Sequence, residues 1–272
     1  MNIMKDEFTQ IKEKFAVPRR TEILDIEINQ DVESLIERED MVVTLTNSGY
    51  IKRTTLSTYR AQKRGGKGRA AMSIKDEDFI RQVFVLNTHD PVLFFTNTGI
   101  VYELKVYKLP LGNPQAKGRP IINLLPLSEG EKVTTMMPLP ENEDNPPDLM
   151  FATRSGNVRR NPLSDFSNVK ANGKIAMKLV EGDSLIGVVP CKKSDDIMLS
   201  ASLGKCMRFR SNDVRLFKGR GSIGVRGIRL KSEDHVISIS VLKHIQEDTD
   251  VKVLYLKAAS AQRRGETQDY IK

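Results

Sequence analysis

A pattern of about fifty residues recurs four times along this chain. Each copy has an apolar strand, a polar turn ending in glycine, and a second strand, in most copies ending in basic residues. The glycines hold equivalent places at Gly49, Gly99, Gly156 and Gly204. Asn-Ser-Gly and Asn-Thr-Gly between β-branched runs are typical of hairpins, because glycine supplies the positive φ of a tight turn. Serial copies of such a unit predict small antiparallel sheets arranged as blades around an axis.

Each copy also carries a second, basic segment that contains glycine and is followed by a further strand. These segments are Ala116–Leu125, Lys170–Leu179 and Lys218–Leu230, and Gln62–Gly68 holds the corresponding place in the first copy. Four short strands per copy predict an all-β fold of four-stranded blades, with no helical period of the solenoid kind. We place the blades at about 38–86, 87–137, 138–189 and 190–242, within a β-domain of residues 30–245.

The two ends of the chain fall outside this pattern. Phe8, Ile11 and Phe15 share one face of a short helix predicted over residues 6–16, which ends before Pro18. Residues 1–22 are therefore interpreted as a helical lead-in. Residues 246–272 are interpreted as a polar tail, in which 258–265 suits a frayed helix or a linker.

The composition narrows the class of partner. A formal net charge of +8 favours an anionic partner, and charge alone leaves nucleic acid, an acidic protein and a membrane surface open. No apolar run approaches the roughly 20 residues that span a bilayer, and residues 1–15 lack the apolar core of a secretory signal. Cys191 and Cys206 have no metal-ligand partners in the sequence, which favours a reduced, cytoplasmic chain. No membrane partner is expected.

The segment Gln62–Gly68 is both basic and dense in glycine. Five cationic side chains and no acid lie between Arg60 and Arg69. Glycines let backbone N–H groups approach a ligand closely, and closely spaced cations suit the fixed charges of a phosphate backbone. Judged by charge alone, a solvated loop is the more common interpretation of such a run.

The heptapeptide resembles the GyrA box, Q-(K/R)-R-G-G-(K/R)-G, of the C-terminal domain of DNA gyrase A subunits, at all seven positions. Further stretches resemble the same family, and the resemblance covers about residues 5 to 245. They are Pro18–Ile23, Glu39–Thr44, Asn87–Asp90, Lys105–Pro110, Lys117–Pro120 and Gly224–Leu230.

The resemblance implies a six-bladed β-pinwheel whose basic rim wraps duplex DNA chirally and so supports ATP-dependent negative supercoiling. The implied partners are double-stranded DNA, the gyrase catalytic core and the gyrase B subunit, at the bacterial nucleoid. Only four blades can be counted here, so we expect a chain truncated by gene splitting, gene decay or deliberate excision. Such a truncation would leave an unpaired edge on the last blade.

The candidate DNA-binding residues follow from this resemblance and from charge. They are Gln62, Lys63, Arg64, Gly65, Gly66, Lys67, Gly68 and Arg69 in the first copy, Lys117 and Arg119 in the second, Lys170 and Lys174 in the third, and Lys218, Arg220 and Arg226 in the fourth. Outside the box, a solvated surface cation is an equally good interpretation of any one of them. Nothing resembles a recognition helix or a zinc module, so reading of base sequence is not expected.

Catalysis is not predicted for this chain. His89, His235 and His244 are isolated in sequence, and neither a metal-ligand cluster nor a phosphate-binding P-loop motif is present. No cofactor or metal is expected, and the resemblance assigns the nucleophilic tyrosine and the ATPase site to other parts of gyrase. Three alternatives stay open: a gene remnant, a propeller-like module that binds an acidic protein, and the C-terminal domain of topoisomerase IV, whose box is usually degenerate.

Overall fold

A computed structural model of the protein describes residues 2–17, 32–59, 78–139, 146–167, 169–219, 221–246 and 248–264. These belong to two compact units, Met1–Ile36 and Glu37–Lys272. The first unit contains helix α1, Asn2–Phe15, and a 3₁₀ turn, Val32–Leu35. Helix α1 thus begins four residues earlier than the apolar spacing predicts.

The second unit is built mainly of short antiparallel strands. In chain order they are β1 (Asp40–Thr46), β2 (Tyr50–Thr55), β3 (Ile80–Asn87), β4 (Pro91–Thr96), β5 (Ile100–Lys105), β6 (Arg119–Pro120), β7 (Val133–Pro138), β8 (Asp148–Thr153), β9 (Asn157–Pro162), β10 (Lys174–Ile175), β11 (Leu185–Cys191), β12 (Asp195–Ala201), β13 (Cys206–Arg210), β14 (Val225–Arg226) and β15 (Val236–Lys243). The predicted all-β fold of propeller-like blades is confirmed.

All four glycine hairpins are present. They join β1 to β2, β4 to β5, β8 to β9, and β12 to β13. Gly49, Gly99, Gly156 and Gly204 have φ between 81° and 92°, the left-handed region that the turns require. A third strand of each repeat, β3, β7, β11 or β15, then pairs with the first strand of its own hairpin.

The fourth strand of a blade is donated by the next repeat. Strand β6 pairs with β2, β10 with β5, and β14 with β9, so each closes the outer edge of the preceding sheet. The prediction that each copy supplies all four strands of its own sheet is therefore wrong. The donated strands are two residues long, and their pairing depends on the partner edge more than on their own pattern.

Hydrophobic clusters lie between neighbouring sheets. All six residues of β4 are buried: Val92 and Phe94 pack with the first blade, whereas Leu93 and Phe95 pack with the third. This burial on both faces explains why β4 is continuously apolar in sequence. The inner strands β3, β7 and β11 border an apolar cavity of about 570 Å³, and Phe84, Met136 and Val188 are among the residues that line it.

A carboxylate holds each hairpin turn. The pairs are Asp78 Oδ1 with the Ser48 N–H at 2.9 Å, Glu131 Oε1 with the Thr98 hydroxyl at 3.0 Å, Asp183 Oδ1 with the Ser155 N–H at 2.9 Å, and Asp234 Oδ1 with the Leu203 N–H at 3.0 Å. The donated strands pair beside these turns: Arg226 of β14 lies opposite Asn157 and borders the same cavity as Asp183 and Asp234.

The last sheet has the order β13-β12-β15. Within the described ranges, β13 pairs only with β12, as expected for an unpaired edge. The Asp196 carboxylate lies behind this edge and is 3% exposed. It accepts hydrogen bonds from His244 Nδ1 at 3.0 Å and from Arg208 Nε at 2.9 Å. These two contacts, the one to His244 first, lower the pKa of Asp196 below its usual value.

We expect Asp196→Asn to lower the free energy of unfolding by about 1–3 kcal/mol at pH 7, because hydrogen bonds to a charged group are lost. A carboxyl whose pKa is lower in the folded state stabilises the protein above its unfolded pKa, and this contribution is lost as pH falls through the folded value. The difference between wild type and variant should therefore shrink below about pH 4. Urea unfolding at several pH values measures it; a pH-independent difference would contradict the assignment.

Residues beyond β15 form helix α2, Thr249–Arg263, where the sequence analysis places a polar tail. Val251, Leu254 and Tyr255 make this segment more apolar than the predicted polar tail. Together with Phe209 and Ile245, α2 borders a cavity of about 1060 Å³ beside the β13 edge. Neither described helix has the length and apolar character needed to cross a membrane.

Candidate nucleic-acid interface

The donated outer strands and the loops before them carry the candidate cations that the structure describes. The heptapeptide Gln62–Gly68, together with Arg69 and Arg220, lies outside the described residues, so its assignment stays a prediction. The others fall into three pairs on three sheet edges: Lys117 with Arg119, Lys170 with Lys174, and Lys218 with Arg226.

The first pair flanks Gly118 at the edge of the first sheet. Gly118 has φ +80°, and a Cβ there would lie 2.5 Å from the carbonyl oxygen of Ile51. Only glycine fits this approach, so the loop is held directly against β2. Lys117 Nζ lies 3.9 Å from the centroid of the Tyr50 ring, a cation–π contact that fixes its direction. Arg119 is exposed on β6.

The second pair flanks Gly173 at the edge of the second sheet. Gly173 has φ +80°, and a Cβ there would meet the Tyr102 ring at 2.6 Å. Lys170 is exposed. Lys174 Nζ donates a hydrogen bond to the carbonyl oxygen of Asp165 at 3.2 Å, so this cation is partly engaged by the protein itself. Of the two, Lys170 is therefore the better placed to meet an anion.

The third pair lies at the edge of the third sheet. Lys218 and Arg226 are both exposed. Gly224 between them has φ +88°, and a Cβ there would lie 2.3 Å from the carbonyl oxygen of Val158. Arg215, which the sequence analysis did not single out, has its guanidinium 4.4 Å from the centroid of the Phe217 ring and adds a further cation to the same loop. The proximity of Arg215 to Lys218 in the sequence was the signal that could have identified it.

Two buried cations behind these loops were also missed. Lys52 on β2 and Arg159 on β9 have no exposed surface. Each is the third residue after its hairpin glycine, a place taken by Tyr102 and Met207 in the other two repeats. Burial lowers the pKa of the Lys52 ammonium. The sequence carries no signal for this burial, because a charged residue next to Ile51 in a strand is expected to face solvent.

The arrangement can bind a polyanion along three successive sheet edges. Within the described ranges, no group of three His, Cys, Asp or Glu side chains is placed to hold a metal ion. His89 is buried and has its Nδ1 3.1 Å from the Thr88 hydroxyl, and His244 contacts Asp196. Both histidines therefore have structural partners.

Comparison with known families gives one clear match. The family model described as "DNA gyrase C-terminal domain, beta-propeller" matches residues 40–87, 90–140, 147–192 and 195–243. These four matched stretches each contain one hairpin glycine. Together they span most of the chain.

Named relatives agree with this match. The chain is 53% identical over 265 residues to the DNA gyrase A subunit of Rickettsia conorii, covering 97% of this chain and 29% of that protein. To the DNA gyrase A subunit of Escherichia coli K12 it is 46% identical over 228 residues, covering 84% and 26%. The chain thus spans less than a third of the length of these relatives.

Solved structures share the fold. A DNA topoisomerase IV C-terminal domain gives a TM-score of 0.67 at 26% identity, covering 77% of this chain and 63% of that one. A DNA gyrase A C-terminal domain gives a TM-score of 0.55 at 29% identity, covering 75% and 65%.

Proposed function

This chain belongs to the family of DNA gyrase C-terminal domains, and from that membership we propose that it binds duplex DNA along its basic outer edge and wraps it. The observation that carries the proposal is the placement of Lys117, Arg119, Lys170, Lys218 and Arg226 on three successive sheet edges. Duplex DNA carries one charge per about 1.7 Å of axis, so cations on successive sheet edges can contact its backbone at several places. Lys174, already bonded to Asp165, plays a smaller part.

In this proposal the chain is the DNA-wrapping part of the A subunit of gyrase, which is a type IIA topoisomerase, and it has no catalytic residue of its own. It works with a catalytic core that supplies the tyrosine nucleophile and with the gyrase B subunit that supplies ATP hydrolysis, at the nucleoid in the bacterial cytoplasm. The role needs no cofactor or metal in this chain. The intact heptapeptide Gln62–Gly68 and the named relatives favour gyrase over topoisomerase IV.

The free energy needed to bend DNA requires contacts on several blades. A 40–90° bend over a short site costs of order 1–6 kcal/mol, which a single cation pair cannot offset. Base-specific contacts are not required, because phosphate contacts fix position and bending without reading sequence. Cations distributed over three edges suit that requirement better than one dense patch.

The test is to seal nicked circular DNA in the presence of the chain and to measure the trapped linking number. We expect a shift in one direction that grows with the ratio of protein to DNA, because a chiral wrap is trapped on ligation. The variant Lys63→Ala/Arg64→Ala/Lys67→Ala should abolish the shift, and Lys117→Ala/Arg119→Ala should reduce it. The matched control is Lys192→Ala/Lys193→Ala, which removes two exposed charges from the turn between β11 and β12.

Three outcomes would count against the proposal. Binding without any shift in linking number would mean that the chain attracts DNA by charge but does not hold it in a chiral path. Equal losses in the edge variant and in the control would show that only net charge matters. Absence of DNA binding would favour a protein partner, or a gene remnant if the purified chain is also digested rapidly by protease.

A further inference from the structure

The ammonium of Lys52 sits among converging backbone carbonyls of the loop that precedes β6. Its Nζ lies 3.0 Å from the carbonyl oxygen of Asn113, 2.6 Å from that of Pro114 and 3.0 Å from that of Ala116. A fully buried cation is stable only when its donors are satisfied, and three carbonyls match the three N–H donors of an ammonium. The loop is therefore shaped around Lys52.

Arg159 does the same for the loop that precedes β14. Its guanidinium donates to the carbonyl oxygen of Ser222 at 2.9 Å and to that of Gly219. Two residues further along β9, Asn161 Nδ2 donates to the carbonyl oxygens of Phe217 at 3.1 Å and Gly219 at 3.0 Å. The first and third blades thus hold equivalent loops from equivalent strand positions with different cations.

Inward carbonyls determine where the amide hydrogens point. In a trans peptide the C=O and N–H bonds are antiparallel, and the described residues contain no cis peptide. The N–H groups of Gln115 and Lys117 therefore point away from Lys52, and those of Lys218 and Ile223 point away from the interior. In the described part of the chain, none of these four N–H groups donates to another backbone group.

We propose that Lys52 and Arg159 are positioning residues for DNA binding, which turn the backbone N–H groups of the two loops outward to receive phosphate oxygens. The inference rests on the proposed function and deepens it. It names backbone N–H groups that bind phosphate in addition to the side chains of Lys117 and Lys218. Backbone N–H groups that point outward can donate to phosphate oxygens, and the buried cation behind them adds its own charge to the field. Neither Lys52 nor Arg159 touches DNA itself.

Substitution at Arg159 tests this inference, because Lys52 shows that a lysine can hold the equivalent loop from the equivalent strand position. Arg159→Met should weaken binding of a short DNA duplex about tenfold at constant salt, the effect of losing charge-assisted contacts. Arg159→Lys should retain most of the affinity. The control Lys192→Met removes one exposed charge outside the loops and should change affinity less than twofold. Equal affinity of folded Arg159→Met and wild type would overturn the inference and leave DNA binding by the chain intact.

A measurement on the unmodified chain covers the case in which Arg159→Met does not fold. Amide hydrogen exchange and chemical shifts would be followed by NMR while the same duplex is added. We expect the resonances of the Gln115, Lys117, Lys218 and Ile223 N–H groups to shift and these groups to become protected from exchange. Binding that leaves these amides unchanged would exclude them as phosphate ligands. Absence of binding would instead refute the proposed function.

Discussion

The DNA affinity of this chain should fall by about 10³–10⁵ when salt is raised from 50 to 200 mM, provided that 6–10 phosphates are neutralised. Bound cations release the counterions condensed on DNA, so the logarithm of the affinity declines linearly with the logarithm of salt concentration. The cations on three sheet edges, together with the box residues, supply contacts of that number. Fluorescence anisotropy with a labelled duplex across a salt series measures the slope.

Removal of one pair should change the slope by a defined amount. Lys117→Ala/Arg119→Ala should reduce its magnitude by roughly 1.8, since each phosphate contact contributes about 0.9. Lys192→Ala/Lys193→Ala lowers the net charge equally and should leave the slope unchanged, because the turn after β11 lies off the donated strands. A slope near zero in the wild type, or equal changes in both variants, would refute binding through the sheet edges.

Gly224→Ala should lower the free energy of unfolding by about 3–5 kcal/mol. The residue has φ +88°, and the new Cβ would lie 2.3 Å from the backbone oxygen of Val158 and 3.0 Å from Arg159 Cβ. Backbone strain alone accounts for about 1–2 kcal/mol of the loss. The remainder comes from the forced retreat of β14 from β9, which neither rotamer change nor side-chain motion can relieve.

Gly204→Ala is the matched control for this substitution. Gly204 has φ +85°, and a Cβ there would have no atom within 4 Å. The control therefore carries the backbone strain without the collision, and it should cost about 1–2 kcal/mol. Urea unfolding followed by circular dichroism gives both values. Equal losses in the two variants would show that the close approach of β14 to β9 contributes little to stability.

The hairpins were the most predictable part of the fold. Asn-Ser-Gly and Asn-Thr-Gly are local signals, because the turn geometry depends on residues adjacent in sequence. The apolar runs at β4 and β8 were equally clear, and the propeller-like class followed from their repetition. These predictions are confirmed by the four hairpins and by the sheets built on them.

Strand donation was not predictable from the same information. Strand β6 forms two residue pairs with β2, Pro120 with Tyr50 and Arg119 with Ile51. So short a strand shows no period in the sequence that could identify its partner. The glycines at 118, 173 and 224 were recognised only as parts of the basic segments, and nothing in the sequence identifies the sheet that each approaches. The basic segments were correctly recognised as a recurring feature, and their placement on the preceding blade needed the three-dimensional structure.

The buried cations show a second limit. Judged by residue type, Lys52 and Arg159 would be assigned to the exposed surface, yet each is buried beneath the loop that the next repeat donates. Their burial is a consequence of donation, so an interpretation that keeps each repeat separate cannot detect it. The assignment of Gln62–Gly68 depends on family resemblance and stays a prediction, since these residues lie outside the described ranges.

Donation of the outer strand also affects how the chain folds during its synthesis. Lys52 and its acceptor Pro114 are 62 residues apart, so the first sheet stays open until much of the second repeat has left the ribosome. At 5–20 residues per second, that delay is on the order of several seconds. Each nascent blade meanwhile exposes an unpaired edge and an unfilled loop-binding site. Folding should therefore proceed along the chain one repeat behind translation, with every new repeat completing the one before it.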